Sequence, residues 1–64
     1  MKDSDIRYGQ TVRQGKTPPL HCFMIGAVQG TRDEDSVTIF MYGPEGMAPL
    51  HRTRKDVRDN WEAA

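Results

Sequence analysis

Sixty-four residues make one small domain, which buries only about 60% of its unfolded surface and keeps a marginal core unless something supplements it. A single cysteine, Cys22, excludes an internal disulfide and the common four-ligand zinc pattern. Nine basic residues balance nine acidic ones, which excludes a protein that coats nucleic acid or anionic membrane by bulk charge, and leaves self-association or a partner as the supplement.

Residues 1–5, Met-Lys-Asp-Ser-Asp, are charged and almost free of apolar groups, and are expected to be loose. They do not form a signal peptide, and no apolar run approaches 18 residues. With one thiol, these features predict a cytoplasmic protein with no membrane association. A chain this short suits a phage, plasmid or other mobile-element gene. The apolar residues are only 36% of the total but are grouped, which favours a folded domain over a disordered one.

From Ile6 to Arg13, Ile6, Tyr8 and Val12 at even spacing predict a weak strand. Gly15-Lys16-Thr17-Pro18-Pro19 predicts a turn, because the prolines cannot donate to a ladder and Pro18 restricts Thr17. Leu20 to Gln29 follows as a strand apolar on both sides. Leu20, Cys22, Met24 and Val28 fall on one face and His21, Phe23, Ile25 and Ala27 on the other, the pattern of a strand covered twice. A polar connection, residues 30–36, leads to the best strand, Val37–Gly43, with Val37, Ile39 and Met41 opposed to Thr38, Phe40 and Tyr42. The short link predicts an antiparallel hairpin. Residues 43–49 then turn the chain into a short fourth strand near Met47–His51.

The last ten or eleven residues predict a helix, with Thr53 as N-cap and Val57, Trp61 and Ala64 as its apolar stripe. Alone it would be unstable, so it must dock. The expected fold is α+β and mostly β: a small twisted antiparallel sheet of three to four strands, with an SH3-like barrel as its closed variant, and a short C-terminal helix.

Three chemical motifs fail on inspection. Gly15-Lys16-Thr17 imitates a phosphate loop, but five residues separate Gly9 from Gly15 where four are needed, and prolines replace the receiving helix. His21 and Cys22 are adjacent in a strand and point apart, so His21 cannot readily activate the thiol; Cys22 is read as a structural cysteine, a small buried hydrophobe if it lies on the core face. Asp33, Glu34 and Asp35 lack the alternation of a calcium loop and read as a solvated hairpin tip. No cofactor, metal or catalytic set is expected.

The remaining signal is residues 51–61, where Arg52, Arg54, Lys55 and Arg58 precede Trp61. Cations at a helix N-terminus oppose its dipole, an arrangement easier to understand if they contact something else. Lys55–Asp59 and Arg58–Glu62 are the two available i,i+4 pairs. The expected function is a small accessory or regulatory protein, a modulator or inhibitor of a larger machine, that works by protein–protein contact. Its candidate surface is Arg52, Arg54, Lys55, Arg58 and Trp61, with Asp33, Glu34 and Asp35 as a second, acidic contact. A homo-oligomer joining the basic segment of one copy to the acidic loop of another is one form of this. Nucleic-acid binding through residues 52–58 is the alternative.

Overall fold

Alternation from Val37 to Tyr42 builds the strand on which everything else is arranged. The structure, a computed structural model, describes residues 1–15 and 20–64. Among these, β1 (Thr11–Arg13), β2 (Cys22–Val28), β3 (Ser36–Gly43), β4 (Gly46–Thr53), α1 (Arg54–Asn60) and β5 (Glu62–Ala63) follow in order. They form a five-stranded antiparallel sheet, β4-β3-β2-β1-β5, open at both edges, so the pairing does not describe a closed barrel. The turn predicted over residues 15–19 lies, from Lys16 on, outside the described residues.

The β3–β4 hairpin turns at Pro44-Glu45, where the proline ring presets the first corner and Gly46, at φ 112°, takes a conformation other residues avoid. β4 is longer than the short strand expected there. The first strand is shorter, Thr11–Arg13, extended only by the backbone hydrogen bonds of Gly9 and Gln10 with Ile25, and Ile6 instead enters the core after a 3₁₀ turn at Asp3–Asp5. The N-terminus, expected to be loose, is docked. The Met1 amino group donates to the Arg58 carbonyl at 2.8 Å and the Trp61 carbonyl at 3.3 Å, at the helix end whose dipole favours a cation.

One irregularity decides which β2 residues face the core. Ile25 pairs with Ile39 but Ala27 pairs with Thr38, so Gly26 is the extra residue of a β-bulge. The bulge shifts the alternation by one. Val28 therefore joins Phe23 and Ile25 against the core, not Cys22 and Met24 as strict alternation implies. A Cβ at Gly26 would overlap the edge of the Phe40 ring, which lies against the bulge.

Ile6, Val12, Phe23, Ile25, Val37, Ile39, Val57 and Trp61 form the core, on one side of the sheet. Burying such a side chain stabilises by about 1.5–3 kcal/mol, and Val57 and Trp61 together hold down a helix far too short to stand alone. Trp61 is 2% exposed and meets Phe23 edge-on, ring centroids 5.4 Å apart. Thr53 is the N-cap, its Oγ1 accepting from the Asp56 N–H at 3.1 Å. The helix is shorter than predicted. Trp61 turns to extended geometry, Glu62 and Ala63 pair with Arg13 and Val12, and Ala64 lies exposed outside the helix. That short pairing covers an edge β1 would otherwise leave open.

Candidate functional site

Cations of residues 52–58 are held by carboxylates of the same chain. Arg52 meets Asp56 at 3.9 Å, Arg54 meets Asp3 at 3.5 Å, and Lys55 meets Asp59 at 2.9 Å. Arg58 sits between Asp33 at 2.9 Å and Asp3 at 3.4 Å. Arg54, only 9% exposed, also donates to the backbone carbonyls of Gly30 and Asp3. Of the two i,i+4 pairs expected, Lys55–Asp59 forms. Glu62 instead pairs with Arg13 at 2.9 Å, because it has left the helix for β5.

The acidic loop is the other half of this arrangement. The Asp35 and Asp33 carbonyls accept the first helical N–H groups, those of Arg54 at 2.8 Å and Lys55 at 3.0 Å. Two donors that a helix N-terminus leaves orphaned are thereby satisfied by the loop backbone. The hydrogen bond from Arg58 holds the Asp33 carboxyl below its ordinary range, and the same contact raises the Arg58 guanidinium. Likewise the Lys55 hydrogen bond lowers Asp59, and Asp59 raises Lys55. Glu34 and Asp35 pair with Arg32 within the loop. The basic segment and Asp33, read from the sequence as intermolecular contacts, thus meet inside one chain. A phosphate arriving at Arg58 would have to displace three carboxylates, those of Asp33, Asp3 and, at 3.6 Å, Asp59.

Trp61, grouped with these cations as a contact residue, lies in the core. Among the described residues its buried indole N–H finds no acceptor. Cys22 does not meet the condition on which it would be a buried hydrophobe: it is exposed, on the opposite side of the sheet from Phe23. Among the described residues no group of three or more metal-ligating side chains assembles. His21 packs over Gly43 beside a hollow of ≈ 160 Å³ lined by Met41, Glu45 and Ala48, too small for most organic ligands.

The feature that sequence reasoning passed over is the second face of the sheet. Register places Arg13, Cys22, Tyr42 and Met47 in one row across the strands, and Thr11, Met24, Phe40 and Pro49 in the next. Thr38 and His51, bonded at 3.2 Å, bound it at one end. Tyr42 is 36% exposed and Met47 58%. The signal was present: both β2 and β3 are apolar on both sides. Two-sided apolarity was read as two-sided cover, but the described residues supply one helix, and it lies on the core side.

β4 is the long edge, and Pro49 sits in its middle. Counting from the Gly43–Gly46 closing pair, Phe40–Pro49 is a non-hydrogen-bonded pair, so the missing N–H is one that would point outward. That blunts the edge against strand addition.

No helix of the described residues is long and apolar enough to cross a membrane. No family model, no curated protein and no solved structure matches the chain.

Proposed function

We propose that this chain is a small binding protein that acts through protein–protein contact, an accessory or regulatory subunit that modulates or inhibits a larger machine. The carrying observation is that among the described residues the sheet is covered on one side, which leaves Cys22, Met24, Phe40, Tyr42 and Met47 in adjoining rows on an outer face. An apolar patch with polar surroundings is the usual mark of a protein contact. An exposed thiol on that face suits a reducing, cytoplasmic setting. The ion-paired helix serves this reading as the element that stiffens the back of the sheet.

Capture experiments with wild type, Tyr42→Lys/Met47→Lys and Arg54→Glu/Arg58→Glu test it. A partner kept by the helix variant and lost by the face variant supports the open face. A partner lost only by the helix variant assigns the contact to residues 52–58 instead.

Nucleic-acid binding is the second reading, favoured by the outward side chains of Arg52 and Lys55, 43% and 62% exposed. Phosphate contacts weaken steeply with salt, so binding should be clearest at about 50 mM. Fluorescence anisotropy showing none there removes this reading.

A further inference from the structure

We infer that the open face of the sheet packs against the same face of a second copy, forming a two-layer β-sandwich whose second core is this surface. The inference rests on the open face being the contact surface, and it names the occupant.

Area is the first argument. Five strands about 4.8 Å apart and a central strand of 8 residues, each rising about 3.4 Å, span roughly 24 by 27 Å. The outer strands are short, so the flat footprint is nearer ~500 Å². A pleated surface carrying side chains exposes more than its footprint, which brings one face within reach of the ~800 Å² per partner of a standard interface. Two sheets stacked about 10 Å apart are also the ordinary way for such a face to become a core.

Charge is the second. Among the described residues, the charged side chains that register places on this face are Arg13 and Glu62, already bonded to each other at 2.9 Å at one corner. His51, at the opposite side, is engaged with Thr38. A strongly basic or acidic partner finds no free counter-charge among them. A single-stranded nucleic acid could stack on Phe40 and Tyr42, but it needs unpaired cations to follow its backbone, and the one arginine here is neutralised. A second copy needs neither. With nine cations and nine anions the whole chain has no net charge, so two copies approach without repulsion. A two-fold axis through the face makes the patch self-complementary in kind, apolar rows over apolar rows.

Cys22 is a built-in reporter, since it lies in the row of Tyr42 and Met47. Light scattering on the full chain over a range up to millimolar should show the mass rising from 7.3 kDa to twice that value. Over the same range, modification of Cys22 by a small thiol reagent should slow about tenfold as free chain is consumed by mass action. Tyr42→Lys/Met47→Lys changes side chains that are already solvent-facing, so circular dichroism should be unchanged while the mass stays at 7.3 kDa and Cys22 reactivity becomes independent of concentration. Lys55→Ala, on the helix, should dimerise like wild type. A mass of 7.3 kDa throughout overturns the inference, as does a dimer that survives both lysines or a Cys22 rate that ignores concentration. If the chain stays monomeric yet the two lysines abolish capture of a different protein, the dimer is wrong and the open face remains the contact surface. If the lysines alter neither, both ideas fall.

Discussion

Gly26→Ala tests the bulge and the face it shapes. Backbone conformation is no obstacle, since Gly26 is not among the glycines at positive φ. In a strand, replacing glycine by alanine removes unfolded-state freedom and should by itself stabilise by about 0.5–1 kcal/mol. The new methyl, however, would overlap the edge of the Phe40 ring, which must swing off the sheet. Overpacking of this kind costs typically 1–3 kcal/mol. The ring is half-buried and has room to move outward, so the lower half of that range applies, and the net effect is a loss of about 1 kcal/mol. Removing the ring should reverse the sign. In a Phe40→Ala background the ring atoms that are the methyl's nearest neighbours are gone, and Gly26→Ala should stabilise by about 0.5 kcal/mol. Urea denaturation followed by Trp61 fluorescence in dilute solution, on the two single variants, the double variant and wild type, gives the coupling directly. An effect of Gly26→Ala that is equal in both backgrounds would refute the reasoning, because the ring would then not be what keeps residue 26 a glycine.

Thr53→Ala removes the side-chain acceptor of the Asp56 N–H and should cost about 1 kcal/mol in the same assay, with Thr53→Ser close to wild type. The paired carboxylates predict acid sensitivity. Asp33 and Asp59 are depressed by Arg58 and Lys55, so their contribution is full above the unfolded carboxylate range near pH 4 and is lost as pH falls through the lower folded values. Thermal melts should therefore show a level Tm above about pH 5 and a falling Tm below it. Arg58→Ala should lower Tm at neutral pH, flatten that acid slope and lose less in high salt than in low, since it breaks the Asp33 and Asp3 contacts. A slope unchanged in this variant would dissociate Asp33 from Arg58.

Alternation was legible from the chain wherever it ran without interruption. Val37, Ile39 and Met41 against Thr38, Phe40 and Tyr42 set the two sides of β3, and the short polar link made β2 its antiparallel neighbour. Thr53 was recognisable as an N-cap because its hydroxyl serves donors two or three residues away, a strictly local matter. Val57 and Trp61 fell on one helical stripe for the same local reason, and both are buried. Long-range pairing was not legible. Helical periodicity continues past Asn60, and only the empty edge of β1, 49 residues away from Glu62 at Arg13, draws the chain out into a strand. Glu62 thereby exchanges Arg58 for Arg13, and Arg58 turns to Asp33.

By itself, then, the sequence determined the two sides of β3, the antiparallel link to β2, the cap and the need of a short helix to dock, because each depends on neighbours a few residues apart. It also determined that cations at 52–58 required compensation, since their position against the helix dipole is a property of local order. Only the tertiary structure decided where that compensation comes from: the loop at Asp33 and the N-terminal turn at Asp3 are brought to the helix by the sheet, so the charge that suggested an external partner is answered within the chain. Only the structure, too, decided which apolar face is covered. Two faces were apolar and one helix was available, and the bulge at Gly26, by moving Val28 to the core side, helps make that side the fuller one. The face left over among the described residues carries Phe40, Tyr42 and Met47, and it is the surface on which the proposed contact rests.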